Sequence, residues 1–398
     1  MRIGVVGCGT AGQAAAIHLA RAGHHVTVFE RTPTLGPVGA GILLQPTGLR
    51  VLNELGVGDE IARLSSPVHR LSGLNQRGRT VLDVRYSDRE PGLFGLGVHR
   101  GSLFSTLLDR MNQLRIEIWT DVDVRSYTQP RRGVVEIFDD AQRSLGHFEL
   151  VIIGDGARSS LRAQSGLVRR ATRYPWGAMW FVATDPDEQF SGVLQQYYHG
   201  TRGMVGFLPS GRSAVDSPST VSVFLSVRID EAGVIRQRGL GEFARRVRAL
   251  TDRAETVLSQ ISDIAQVITA SYHDVVLSRV FDGRVVFLGD AAHAMSPQLG
   301  QGANLALMDA SELAKQLAEV SDVDVAIERY DRARRANVRY YQRVSRWLTP
   351  VFQSGLTPVG VVRDALMGPM SRAPIFRSLM LDSLVGIKTG LMPWSVMR

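Results

Sequence analysis

The feature that most limits what this chain can fold into is the segment G-C-G-T-A-G, which places Gly7, Gly9 and Gly12 between RIGVV and AGQAAAIHLARAG. The first flank is short, apolar and rich in β-branched residues, as a buried strand requires. The second is rich in alanine and leucine, which favour helix. HHVTVFE follows as another buried strand, so two parallel strands joined by a right-handed crossover are expected. At the junction Gly7 permits a tight turn, Gly9 lets the backbone approach a pyrophosphate, and Gly12 allows close helix packing. The helix end offers unpaired N–H donors and positive potential to phosphate, with Thr10 and Ala11 in its first turn. Glu30, ending the next strand beside Arg31, can accept hydrogen bonds from ribose hydroxyls. Such a cradle serves NAD and FAD equally well.

The chain of 398 residues is 44% hydrophobic, enough for a sizeable core in one large or two interleaved domains. Its one cysteine, Cys8, has no partner for an intramolecular disulfide, and the Met1 end lacks a signal-peptide pattern. A reducing, cytoplasmic setting is expected. The formal charge of +8 suggests a polyanion, but Lys315 and Lys388 are the only lysines and the arginines are scattered. The densest basic run, Arg245 to Arg253, has the spacing of a solvated helix face, so no nucleic-acid partner is expected. No stretch reaches the length of a membrane span; Trp347 to Val362 is interrupted by Pro350 and Pro358.

Further along, the apolar signal breaks up from Arg79 to Val98 around Pro91. SLFSTLLDRM then reads as helix, IEIW and VVEIF as alternating strands, and FELVIIGDG as a fully buried strand. From Pro175 to Arg228 aromatic runs separated by Gly, Pro, Ser and Asp read as an antiparallel sheet. A helix around Leu240 to Leu250, the buried strand RVVFLGD, and helices from Ala303 to Leu348 complete the main body. Because buried strands of one parallel sheet lie far apart in sequence, the nucleotide-binding unit is expected to be discontinuous.

Two more segments stand beside the cradle: D-G-A-R-S-S-L-R at Asp155 to Arg162, and GRVVFLGDAAHAMSPQLGQGANLALMDA at Gly283 to Ala310. Together, in this order, they resemble the FAD-dependent aromatic hydroxylase family, the class A flavoprotein monooxygenases whose type member acts on p-hydroxybenzoate. The resemblance covers nearly the whole chain. It implies an α/β fold: a Rossmann-like FAD-binding domain with an inserted antiparallel-sheet substrate domain and C-terminal helices. The FAD-binding domain would comprise residues 1–75, 95–170 and 275–345, the substrate domain 76–94 and 171–274, and a C-terminal helical segment 346–398. Asp290 would meet the ribityl and pyrophosphate part of FAD, while Asp155 to Arg162, Gly156 included, would touch both FAD and NAD(P)H. The segments Val38 to Pro46 and Val98 to Leu103 also look like family segments, which adds Gly41 and Arg100; Val124 joins the expected cofactor contacts. In the loop before the last long helix, Pro297, Gly300, Gly302, Ala303 and Asn304 complete them. The residues themselves agree: Asp290 follows a buried strand, where open α/β sheets bind ligands, and GQGAN has no acid to neutralise the helix end near Gly302. That end, aimed at a flavin, would stabilise its reduced anion.

The family's cycle implies reduction of non-covalently bound FAD by NADH or NADPH, addition of O2, and hydroxyl transfer from a flavin hydroperoxide to an electron-rich aromatic molecule, phenolic or polycyclic. Substrate would sit between flavin and antiparallel sheet, among apolar and aromatic side chains drawn from Tyr174, Trp176, Met179, Trp180, Tyr197, Tyr198, Met204 and Phe207. Trp180, Tyr198, Phe207 and Pro297 are the chosen pocket residues, although alternation turns about half of any strand away. His199, flanked by tyrosines, is the candidate base for a phenolic substrate. His293 has no second ligand at metal spacing and suits a packing or hydrogen-bonding role. A halogenase or reductase on the same scaffold, or a non-catalytic flavin-binding redox module, are the alternatives; a lysine near the reacting centre, usual in such halogenases, has no early candidate here. The protein is expected to be a monomer or homodimer. Residues from Thr349 on suit a pocket cover or subunit contact; a membrane-surface helix would need a more continuous apolar face.

Overall fold

Short β-branched runs form a six-stranded sheet in the order Phe281–Asp282, Val285–Phe287, Leu150–Ile153, Arg2–Val6, His25–Phe29, Glu117–Trp119. All its pairings are parallel except that of the edge strand Phe281–Asp282. The computed structural model describes every residue except Pro37, Val38, Pro393 and Arg398, and the side chain of Arg372. Val38, where one segment resembling the family begins, therefore lies outside the described residues.

Every position of Leu150–Ile153 and Val285–Phe287 is buried, as expected for strands covered on both faces. The cradle helix Thr10–Arg21 lies against the helix Gly302–Glu319, with Ala14, Ala15 and Ala16 sharing a core with Leu307, Ala310 and Leu313. Small side chains on the first helix bring the two together at the sheet's ligand-binding edge. Leu307 is fully buried, and its truncation to alanine would cost about 2–5 kcal/mol.

The second sheet has nine strands. Its path runs Ile268–Leu277, Val168–Thr184, Thr220–Arg228, Gly203–Gly211, Gly192–His199, Ser66–Asn75, Gly95–Val98, Ile42–Leu44, with Thr80–Arg85 paired to Ser66–Asn75 off the path. One finding departs from the sequence reading. The sheet is not wholly antiparallel, because Gly192–His199 pairs parallel with Ser66–Asn75. That pairing draws Ser66–Asn75, together with Gly95–Val98 and Ile42–Leu44, into the large sheet, although all three fall within the stretches expected to bind the nucleotide. Likewise residue 346 does not begin a segment: the helix Val323–Phe352 runs through it and contains Pro350 near its end.

Pairing register assigns side chains to the two faces of this sheet. Met179, Phe181, Val205, Phe207, Val223 and Leu225 form an outer core with Phe243, Val247 and Val257 from the helical stretch 229–258. The positions between them, Ala178, Trp180, Met204, Gly206, Ser222, Phe224 and Ser226, share the inner face. There Phe224 packs over Gly206, where an added Cβ would meet its ring. Helix Pro374–Val385 covers part of this face through Leu381 and Leu384 against Leu208. The Arg245 to Arg253 run forms a solvated helix end, in which Arg245, Arg246 and Arg248 are paired with Glu242, Glu231 and Glu255.

Candidate active site

Three turns meet at one edge of the six-stranded sheet. A Cβ on Gly7 (φ 97°) would lie 2.7 Å from the carbonyl oxygen of Gly154, just before Asp155, and one on Gly12 would overlap the Gly7 carbonyl. A Cβ on Gly289, just before Asp290, would stand 3.1 Å from that of Ala11. The cradle and the DG segment are thus packed backbone to backbone, and the GD segment packs on the small side chain of Ala11. Gly9 differs, because among the described residues nothing but its chain neighbours lies within 4 Å of its missing side chain. This open space faces a helix start with no side-chain cap and no acid in its first turn. A second uncapped helix begins at Gly302, also without an acid, and Asp290 Oδ1 lies 3.8 Å from a Cβ there. Gly300, at φ 60°, has open space around it. Pro297 is exposed and Ala303 half-buried.

Glu30 closes the cradle from the adjacent strand. Its Oε2 accepts from the Cys8 N–H at 2.8 Å and its Oε1 from the Thr32 N–H at 3.1 Å, which fixes the carboxylate at the strand end. Arg31 beside it is exposed. Val124 is placed differently from the expectation: its side chain is buried with Val6 and Phe29. Only its backbone is left for a ligand, near the point where the Val122 N–H reaches the Glu30 carbonyl.

Asp155 is held mostly away from water, and burial pushes its carboxyl up to about 6, against the opposing effects of a Ser159 hydrogen bond and of Arg162. Its Oδ1 is buried without a hydrogen-bond partner among the described residues, a polar atom that a bound molecule could satisfy. Gly156 follows at φ 87° with open space around it. Arg162 is not available in the way the family segment implied. It is 5% exposed and donates to the carbonyls of Ala291 and Ala157, stitching the DG segment to the GD segment. Arg158 is the accessible cation there.

His293 makes the hydrogen bond expected of it. Its Nε2 lies 2.5 Å from Asp309 Oδ2, while Asp309 also accepts from the Gly289 N–H at 3.1 Å and from Arg334 Nε at 2.8 Å. Burial would raise the Asp309 pKa, but His293 and Arg334 outweigh it and bring it down to about 2. This ionised carboxylate anchors the turn that presents Asp290.

Toward the large sheet, Arg100 opens the helix Arg100–Gln113. It is accessible yet closely surrounded; burial lowers its pKa, with Asp290 and Tyr272 acting in the opposite sense. Burial pushes the Tyr272 phenol up to about 12. Gly41 is wedged against Ser210 and Ser222, where a Cβ would overlap both hydroxyls, and its N–H donates to Ser222 Oγ at 2.7 Å. Asn304 likewise serves the protein: its Oδ1 accepts from the Gln45 N–H and its Nδ2 donates to the carbonyls of Leu43 and Gly300. A cofactor contact from Asn304 is therefore limited to its backbone.

The inner face of the large sheet is tied to the Pro297–Gly302 loop by side chains that sequence reasoning passed over. Gln298 Nε2 donates to Gln353 Oε1 at 2.9 Å, and Gln353 Nε2 donates to Ser226 Oγ at 2.8 Å. Of the chosen pocket residues, Trp180 is on this face, and so is Tyr198, whose ring lies 5.5 Å from Phe352 and whose hydroxyl donates to Gln196 at 2.8 Å. Phe207 is not: it belongs to the outer core, stacked on Phe190 at 4.8 Å. His199 is also misplaced as a base. It is exposed at the strand end, opposite Gly203, and register puts it with the outward-facing positions. Trp176 and Met204 share the inner face; Met179 and Tyr197 face outward. Neither Ser226, Gln353 nor Tyr272 carries a motif; Gln298 lies inside the loop already singled out.

A family model described as FAD binding domain matches residues 1–345. The chain belongs to that family. It is an FAD-dependent monooxygenase of the aromatic hydroxylase group that its motifs resemble. Among curated relatives, Aurachin C monooxygenase/isomerase of Stigmatella aurantiaca is 28% identical, over 84% of this chain and 85% of its own. The 3-hydroxybenzoate 6-hydroxylase 1 of Aquipseudomonas alcaligenes is 26% identical, over 94% of this chain and 95% of its own. Among solved structures, Klebsiella pneumoniae HpxO complexed with FAD and uric acid superposes with a TM-score of 0.81 at 19% identity, covering 97% of each chain. This last likeness shows the shared fold.

Proposed function

We propose that the enzyme holds FAD non-covalently, is reduced by NADH or NADPH, and uses O2 to hydroxylate a planar aromatic small molecule. The observation that carries this reading is the convergence of an open Gly9 position, two uncapped helix starts and the unpartnered Asp155 carboxyl oxygen along one sheet edge. Such an edge suits a long molecule with phosphates at one end and a polar ring at the other. When bound, FAD supplies the oxidation–reduction chemistry.

The chain's own residues do the rest. Gly7 to Gly12 cradle the pyrophosphate with backbone N–H groups; Glu30 and Arg31 meet the ribose end, Asp290 the ribityl end, and the Gly300 to Ala303 turn the ring. Asp309, through Gly289 and His293, holds Asp290 in place. Cys8 is a poor nucleophile, with its thiol pushed up to about 12 by burial and by Glu30, which supports non-covalent attachment. Substrate lies over the inner face near Trp180, Ser226 and Tyr272, where apolar rings and neutral donors orient a planar molecule and exclude water. The residues divide accordingly into a cofactor unit around the six-stranded sheet and a substrate unit around the nine-stranded one. One relative, named for the hydroxylation of 3-hydroxybenzoate, supports the substrate class.

The test is to record the visible spectrum of the purified protein, then screen phenolic acids, polycyclic phenols and hydroxyquinolines for stimulated NAD(P)H oxidation with isotopically labelled O2. Stimulation by at least one compound, with label in the product, is the expected outcome. A flavin-loaded protein that oxidises NAD(P)H no faster with any of them, or never inserts label, would sink the proposal.

A further inference from the structure

Surface helices ordinarily turn their apolar stripe toward the core. The helix Thr357–Arg372 does the reverse. Val361, Val362, Ala365, Leu366, Pro369 and Met370 recur at helical spacing and are all exposed, and no exposed described side chain of this helix is charged. Val361 is 64% exposed, Val362 55% and Leu366 52%; the adjoining helix Pro374–Val385 adds Ile375 at 69%. The polar residues point inward instead. Arg363 is 3% exposed, pairs with Asp364, and lies over the rings of Tyr198 and Phe352. The continuous apolar face that the linear sequence hides, because it is interrupted by inward-facing polar residues, is present in the folded helix.

We infer that this face docks on an anionic lipid bilayer, lying in the plane of the headgroups. Charge selects this occupant. From Arg339 to the end the chain carries eight basic residues and two acidic ones; Arg363 and Lys388 are buried and Arg346 pairs with Asp274, while Arg339, Arg343 and Arg377 are exposed. Both acids are engaged within the protein: Asp364 accepts from Arg363 and Asn75, and Asp382 pairs with Arg89 at 2.7 Å. A second copy docking through the same patch would set the exposed Arg377, beside Ile375 and Phe376, against like charge. A bilayer of acidic phospholipid offers the opposite charge and an apolar layer beneath it. Trp347 and Trp394, 57% and 76% exposed, belong to the same C-terminal stretch and are the side-chain type that settles at headgroup level. No helix of the described residues is long and apolar enough to cross a membrane, so the contact is peripheral. Through Arg363, Tyr198 and Phe352 the same helix roofs part of the inner face, which brings the region next to the substrate to the lipid.

The experiment is flotation of the FAD-loaded, full-length protein with phosphatidylcholine vesicles, with and without phosphatidylglycerol, at low and high salt. The wild type is expected to float with phosphatidylglycerol vesicles at low salt and to be released at high salt. Val362→Glu combined with Leu366→Glu is expected to lower the bound fraction by about tenfold or more, with the visible spectrum and NAD(P)H oxidation unchanged. Equal flotation of variant and wild type, equal binding to pure phosphatidylcholine, or no flotation at all overturns the inference. A wild-type dimer that the double variant converts to monomer, seen by sedimentation without lipid and accompanied by no flotation, also overturns it and assigns the face to a second copy of the chain.

Discussion

The turn at Gly7 to Gly12 and the turn at Gly300 to Gly302 look alike as glycine-rich entries to helices, but their surroundings differ. At Gly7 and Gly12 the absent side chain is replaced by the protein's own backbone, while at Gly300 and Gly302 the space is open. Gly9 sits within the first turn yet resembles the second. A glycine can thus be demanded by packing or by the room a ligand needs, and only the fold distinguishes the two.

The sharpest way to break this contrast is to fill both kinds of position in the first turn. Gly12→Val would drive a side chain into the Gly7 carbonyl, a cost above about 4–5 kcal/mol, and is expected to give no folded protein. Gly9→Val should fold with wild-type circular dichroism yet bind FAD about 100-fold more weakly or worse, through loss of charge-assisted backbone bonds to phosphate worth roughly 1.5–3 kcal/mol each. Equal flavin Kd for Gly9→Val and wild type, or a well-folded Gly12→Val, would erase the distinction.

A smaller effect follows from how tightly the first turn is closed, since Asp155 packs against Gly7 and its carboxyl is pushed up to about 6 from an ordinary 3.8. A folded-state pKa above the unfolded one means that the fold favours the protonated form. Its advantage is complete below about pH 4 and is lost as pH rises through about 6. In the FAD-free protein, Asp155→Asn should therefore be more stable than wild type at pH 8, by about 1–3 kcal/mol, with the gap closing toward pH 4. Urea midpoints at the two pH values check this; a gap that does not change with pH would mean that the carboxyl is not perturbed.

The smallest effect belongs to the second turn. Among the described residues outside its own helix, Gly302→Val meets no atom closer than 3.8 Å at its Cβ, so the fold should survive. Pushing the flavin away from the helix end removes a dipole contribution of about 0.3–2 kcal/mol, and the two-electron potential should fall by roughly 10–40 mV. Reduction by NAD(P)H slows accordingly. A potential equal to wild type in the flavin-saturated variant would show that Gly302 does no more than start a helix.

Local signals were the readable ones. Strand, turn and helix at the cradle follow each other within a few residues, so periodicity and glycine chemistry suffice, and Asp290 and Asp155 stand directly after buried strands. Facing was not readable. Phe207 and Trp180 occur in equally aromatic runs, and only the register with Thr220–Arg228 sends one outward and the other inward. His199 fails for the same reason. The roles of Ser226, Gln353 and Tyr272 depend on contacts between residues far apart in the chain, and the side chain of Asn304 is consumed by the backbone near Leu43 and Gln45, which no motif foretells. The outward apolar stripe of Thr357–Arg372 is plain only once it is known which side of that helix the protein covers.

The parallel pairing of Ser66–Asn75 with Gly192–His199 has a consequence for how the chain is made. A ribosome adding about 5–20 residues per second needs roughly 6–25 s to travel from one strand to the other. During that interval Ser66–Asn75 has only its hairpin neighbour Thr80–Arg85 and the short Gly95–Val98 beside it, and the opening strand Arg2–Val6 waits in the same way for Leu150–Ile153. Both sheets are therefore completed late, with apolar strand edges open to chance partners in the meantime. Yield in a heterologous host should depend on slowed synthesis and on chaperones that shield nascent strands.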